Sequence, residues 1–102
     1  MFGRRAGVGV RGKAMVHTRK LVVKPLKRAK RSCPEIRGEV THYRLEQRAT
    51  VRFRCGRRRW TIELQHEPDI ETALASAKAA ARHWRSLLQS GEELPPDPHW
   101  PL

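Results

Sequence analysis

The chain has 102 residues, 38% of them apolar, which limits it to one small domain and leaves room for segments that join no core. Its 22 Lys and Arg against 10 acids give a formal net charge of +12, a balance that points to nucleic acid or, less often, an anionic membrane surface. There is no apolar stretch long enough for a signal-peptide core or a membrane span, and Cys33 and Cys55 fit no metal spacing.

The charge is unevenly placed. Residues 1 to 32 hold 11 basic residues and no acid, whereas residues 33 to 102 hold 11 and 10. Within the first segment Gly3, Gly7, Gly9 and Gly12 interrupt any periodicity, so residues 1–32 read as a disordered basic arm whose Lys24, Lys27, Arg28, Lys30 and Arg31 are candidate phosphate contacts. Leu21-Val22-Val23 has the composition of a short extra strand before Pro25. The arm is Arg-rich and acid-free like a mitochondrial transit peptide, but it is poor in serine. The default location is therefore cytoplasmic, nucleoid-associated or within a host cell, with the mitochondrion as the alternative. Cys33-Pro34 marks the boundary to the next segment, because the residue before proline is biased to extended backbone.

From Val40 to Glu46 the pattern alternates, with Tyr43 and Leu45 assigned to the core face and His42, Arg44 and Glu46 to the other, which predicts a first strand. The next two segments carry the strongest signal. Thr50-Val51-Arg52-Phe53-Arg54-Cys55, then Gly56-Arg57, then Arg58-Arg59-Trp60-Thr61-Ile62-Glu63-Leu64 alternates on both sides of a glycine, which predicts a β-hairpin with a type II′ turn. That register sets Phe53 opposite Trp60, Val51 opposite Ile62 and Cys55 opposite Arg58. On the other face it sets Arg54 opposite Arg59, with Arg52 next to Arg54 on the same strand and diagonal to Arg59, and like charges placed so are unfavourable unless an anion lies on them. Arg44, Arg48, Arg52, Arg54, Arg57, Arg58, Arg59 and Thr61 are the candidate nucleic-acid contacts of this region. Cys55 falls on the inward set and reads as a small core residue.

Pro68-Asp69 then predicts a helix start with Asp69 as N-cap and Glu71 near the positive end of the dipole. Ile70, Ala73, Leu74, Ala77, Ala81, Trp84, Leu87 and Leu88 recur at three- and four-residue steps as one apolar stripe, and Gly91 sits where the helix should end. After it, four prolines between 95 and 101 forbid more helix and favour an extended tail. Trp100 has two readings, an edge of the core or an anchor for a protein partner.

The expected fold class is α+β: a three-stranded antiparallel sheet packed against one C-terminal helix, with 1–32 as arm, 33–91 as domain and 92–102 as Pro-rich tail. Catalysis finds little support. The five histidines are scattered, Asp69 and Asp97 are a cap and a tail residue, and no glycine-rich loop precedes a helix, so no enzyme and no cofactor or metal is expected.

The run Ala49 to Leu64 followed by Asp69 to Trp84 resembles the three-stranded-sheet DNA-binding domain shared by AP2-type proteins and the arm-binding N-termini of phage and transposon integrases. The similarity covers roughly residues 40 to 89. It implies a sheet that enters the major groove through its polar face with the helix behind it, and groove contacts by Arg44, Arg52, Arg54, Arg59 and Thr61. Duplex DNA is the favoured partner on this reading, in a small accessory or regulatory protein of a phage or mobile element. The alternatives are an RNA-binding, ribosomal-type ribonucleoprotein component, which an acid-free arm suits, and a protein-binding module that uses the Pro-rich tail and Trp100.

Overall fold

Four consecutive segments of the chain become strands, and period-two alternation runs clearly through the last three of them. The structure, a computed structural model, describes residues 15–101. Strands β1 (Val16–Val23), β2 (Ile36–Tyr43), β3 (Arg48–Cys55) and β4 (Arg58–Gln65) pair antiparallel as a meander in the order β1-β2-β3-β4, and helix α1 (Ile70–Gln89) lies across β1 and β2 and touches β3. The α+β class and the single covering helix agree with the sequence. The strand number does not: the sheet has four strands where three are expected.

The β3–β4 hairpin has the predicted register, with Val51 opposite Ile62, Phe53 opposite Trp60, Arg54 opposite Arg59 and Cys55 opposite Arg58. Gly56 at φ +61° opens the two-residue turn, a backbone state that a β-carbon would strain. The rings inside this hairpin form one cluster with the helix. Phe53 stacks on Trp60 at 5.6 Å between centroids, and Trp84 from α1 meets Phe53 and Trp60 edge-on at 4.8 Å and 5.2 Å. Offset and edge-to-face pairs of this kind add roughly 0.5–1.5 kcal/mol beyond the area they bury.

The expected strand from Val40 to Glu46 is corrected in both position and parity. Strand β2 begins four residues earlier, at Ile36, and Arg44 to Gln47 form the turn into β3, closed by Gln47 N–H donating to Arg44 O at 3.2 Å, with Gln47 at φ +48°. A four-residue turn sets Tyr43 opposite Arg48 and Val40 opposite Val51. The core therefore takes Ile36, Gly38, Val40 and His42, while Tyr43 faces out and Leu45 is 77% exposed at the turn. Tyr43 and Leu45 look like the apolar set only because two true core positions are a glycine and a histidine. His42 is 1% exposed, and its Nε2 meets the Glu67 carbonyl oxygen at 2.7 Å, which supplies the partner a buried ring nitrogen needs.

Gly38 is required by the neighbours on both its flanks. It sits between Leu21 and Phe53 in the cross-strand pairing, and a β-carbon there would lie 3.2 Å from Leu21 Cγ and from Phe53 Cδ1 and Cε1. The Phe53 ring thus lies over the bare backbone of β2.

Strand β1 lies within the segment whose composition predicts a disordered arm. Its inward positions are His17, Arg19, Leu21 and Val23, and only Leu21 and Val23 are buried, so the strand shows little alternation to read. Arg19 faces the helix side and pairs with Glu71 of the first helical turn at 2.9 Å. The remaining part of the expected arm, residues 1–14, lies outside the described residues.

The helix keeps its predicted ends. Asp69 accepts from Thr72 N–H and Thr72 Oγ1, both at 2.8 Å, and these bonds hold its carboxyl below the ordinary carboxylate range. A depressed pKa means that the cap contributes fully at neutral pH and is lost only as acid protonates the folded carboxyl. At the other end Gly91 has φ +91°, Gly91 N–H donates to Leu88 O and Glu92 N–H to Leu87 O, the two bonds of a Schellman motif. The buried residues Ala73, Ala77, Ala80, Ala81 and Trp84 fit the predicted stripe, with Ala80 widening it. The Pro-rich tail then folds back: Leu94 is 8% exposed, and Trp100 packs against the core with its ring 5.5 Å from His83.

Two substitutions test this core. Phe53→Ala should cost about 3–5 kcal/mol, a large share of the stability of so small a domain. Gly38→Ala should cost about 1–3 kcal/mol by crowding the same ring, and less in a Phe53→Leu background than in the parent, as a double-mutant cycle by denaturant melting would show.

Candidate nucleic-acid interface

With the helix on one side, the other side of the sheet is set by alternation alone. Each outward residue stands directly across from its partners on neighbouring strands, which produces four rows. The row nearest the hairpin tip reads Val22, Arg37, Arg54, Arg59. The next reads Lys20, Glu39, Arg52, Thr61, and the third Thr18, Thr41, Thr50, Glu63. The last reads Val16, Tyr43, Arg48, Gln65.

Three arginines therefore stand side by side on three adjacent strands, with β-carbons on the order of 5 Å apart. Arg37 Nε donates to Glu35 Oε1 at 2.6 Å. Among the described residues no acid pairs with Arg54 or Arg59. In the second row Arg52 lies 3.6 Å from Glu39 and stays 70% exposed, a surface pair of small energetic weight. The first two rows line an open concavity of about 640 Å³ whose walls include Lys20, Arg37, Glu39, Arg52, Arg54 and Arg59. In the last row the Arg48 guanidinium has two partners, with its Nε bonded to Glu46 at 2.8 Å and its Cζ 4.3 Å above the Tyr43 ring.

The candidate residues named from the sequence are distributed over six places in the fold. Arg52, Arg54, Arg59 and Thr61 share the concavity. Arg48 shares the face at its far end, and Arg57 stands exposed at the hairpin tip. Arg44 lies in the β2–β3 turn at the opposite end, beside His17, His42 and Asp69. Arg58 faces the helix side and donates to the carbonyl oxygens of Leu94 at 3.3 Å, Pro95 at 2.8 Å and Pro96 at 3.4 Å, so its guanidinium pins the tail. Lys24, Lys27, Arg28, Lys30 and Arg31 belong to the β1–β2 connection at the tip end of the sheet, where they are exposed.

Arg37 and Glu39 belong to this outward face, and the sequence does not single them out. The signal for them exists, since Ile36-Arg37-Gly38-Glu39-Val40 alternates in the same sense as β3, but it starts ahead of a strand drawn from Val40. Near the tip, Cys55 is buried with its Sγ 3.9 Å from Pro34 O, and burial raises the pKa of both Cys55 and Cys33.

Among the described residues no helix is long and apolar enough to cross a membrane, and no group of three His, Cys, Asp or Glu side chains is arranged to hold a metal ion. No family model matches the chain, and neither a curated protein nor a solved structure matches it.

Because Arg54 has an arginine on either side in its row, replacing it by threonine removes two like-charge neighbours, whereas replacing Arg59 removes one. Arg54→Thr should therefore leave the free protein unchanged or raise its stability by a few tenths of a kcal/mol, with a smaller gain for Arg59→Thr. Thermal melts at low salt read the difference, which should shrink as salt screens the row.

Proposed function

We propose that this chain is a nucleic-acid-binding protein that meets duplex DNA with the outward face of its sheet, in the role of a small accessory or regulatory DNA-binding protein of the kind carried by phages and mobile elements. The observation that supports this most is the row Arg37, Arg54, Arg59. Three arginines aligned on a rigid sheet, of which only Arg37 has an acid partner among the described residues, cost the free protein repulsion, and a phosphate backbone laid along them removes that cost while releasing its own counterions. Two strand spacings of about 4.8 Å give the row a width of roughly 10 Å, commensurate with a major groove about 12 Å wide.

The rest of the face favours a duplex over a single strand. Single-strand binders stack bases on exposed aromatic rings. The one aromatic residue in the four outward rows is Tyr43, and the Arg48 guanidinium already lies on its ring. The resemblance to AP2-type and integrase arm-binding domains points the same way through β3, β4 and α1, while the fourth strand is a departure from that pattern.

Fluorescence-anisotropy titration of labelled duplex over a salt series tests the reading. On B-form DNA the log-log salt slope has a magnitude of about 0.9 per phosphate neutralised, so Arg37→Ser, Arg54→Thr and Arg59→Thr should each flatten the slope of the parent. Single-stranded DNA and structured RNA at matched salt should bind more weakly. Equal affinity for duplex by the parent and the three variants would reject the arginine row as the binding surface.

A further inference from the structure

The β1–β2 connection, residues 24–35, carries Lys24, Lys27, Arg28, Lys30 and Arg31, and its composition alone suggests an unstructured basic segment. Its backbone is held instead by one side chain of the helix. Gln89 is 5% exposed; its Oε1 accepts from Leu26 N–H at 3.0 Å, and its Nε2 donates to Leu26 O at 3.0 Å and to Arg31 O at 3.1 Å. The turn from Leu26 to Arg31 is thereby closed around a single amide, which satisfies three backbone groups at once. Arg85 Nη1, one helical turn earlier, donates to Lys24 O at 3.1 Å and fixes the entry to the turn. Arg31 Nε stands about 3.5 Å from the position a β-carbon would take at Gly91, beside the carbonyl end of the helix where a cation is favoured.

A closed turn of this kind presents Lys27, Arg28 and Lys30 outward. All three are exposed, and among the described residues no acid pairs with them. The turn also lies at the end of the sheet that bears the arginine row. Val22, the β1 member of that row, is two residues from Lys24, and the end of the connection, Pro34 and Glu35, shares a concavity with Arg37 and Arg54.

We infer that Gln89 is the positioning residue of a preformed phosphate-binding wall, the turn 26–31, which continues the arginine row around the end of the sheet and gives the site two cationic tracks. This rests on the nucleic-acid reading above and sharpens it: two tracks fit the two phosphate backbones of a duplex, whereas a single strand has one. A pre-closed turn meets its ligand without the ordering cost that a disordered arm would meet on binding.

The test uses the full chain, with Gln89→Met as the probe, since methionine matches glutamine in length and keeps the packing while removing the amide. A triple variant, Lys27→Ser/Arg28→Ser/Lys30→Ser, removes the charges and keeps the turn. In the parent the Leu26 amide should be protected from hydrogen exchange, and in Gln89→Met that protection should fall while the β3 amides stay protected. Gln89→Met should bind duplex about tenfold more weakly with an unchanged salt slope, because the cations remain available but must be ordered. The triple variant should flatten the slope on duplex and leave it unchanged on single-stranded DNA of the same sequence.

An unprotected Leu26 amide in the parent, or parental affinity in Gln89→Met, would overturn the positioning role. If Gln89→Met lost the β3 protection as well, the amide would be a general fold determinant and the assignment would fail. A triple variant whose slope on duplex matches the parent would remove the second track. Those failures differ from failure of the underlying reading, in which the parent itself shows no salt-dependent binding to duplex.

Discussion

The packing of Phe53 against Gly38, Trp60 and Trp84 is the constraint on which the rest of the structure depends. Three rings from two strands and the helix meet within about 6 Å of one another, and Phe53 also lies over the bare backbone of β2, so β2, β3, β4 and α1 are tied at one point. Once Phe53 and Trp60 are inside, alternation leaves Arg52, Arg54 and Arg59 outside, and a one-residue slip of either strand would exchange the two sets. The same contact that stabilises the core therefore fixes the arginine row. The row's own energetics would not assemble it, because like charges set opposite each other oppose pairing.

The surface that results is graded along the strands. The hairpin-tip end carries the arginine row, Arg57 and the basic β1–β2 turn. The other end carries threonines, Glu63 and the Arg48–Glu46–Tyr43 group, whose cation already has partners. Arg58, although it lies among the tip arginines in sequence, is turned to the helix side and spent on the tail carbonyls. Formal charge in the sequence thus overstates what each arginine offers a ligand, and the structure sorts them by face and by partner.

What the sequence makes legible follows from how strongly local pattern and tertiary packing agree. The β3–β4 hairpin and α1 are readable because alternation, turn glycine, N-cap and C-terminal Gly91 all point one way. Strand β2 is readable as a strand but not in phase, because its core positions Gly38 and His42 are justified only by Phe53 on one side and by the Glu67 carbonyl on the other. Strand β1 shows in the sequence only through its last three residues, Leu21 to Val23, because its other inward positions, His17 and Arg19, extend past the buried core, and Arg19 finds Glu71 only after the helix has docked. The same holds for the site. Arg54 and Arg59 can be paired from the hairpin alone, but Arg37 joins them only once β2 is in phase, and Gln89 gives no sign in the helical pattern that it closes a turn more than fifty residues earlier.

If the arginine row is the surface that meets DNA, side-chain NMR reads it directly. In a titration of the nitrogen-15 labelled protein with a short duplex, the guanidinium Nε–H signals of Arg37, Arg54 and Arg59 should shift and slow their exchange with water, while those of Arg58, bonded to the tail, and of Arg82, exposed on α1, stay in place. Shifts confined to Arg58, Arg82 or the tail, with the three row signals unmoved at saturating duplex, would contradict it.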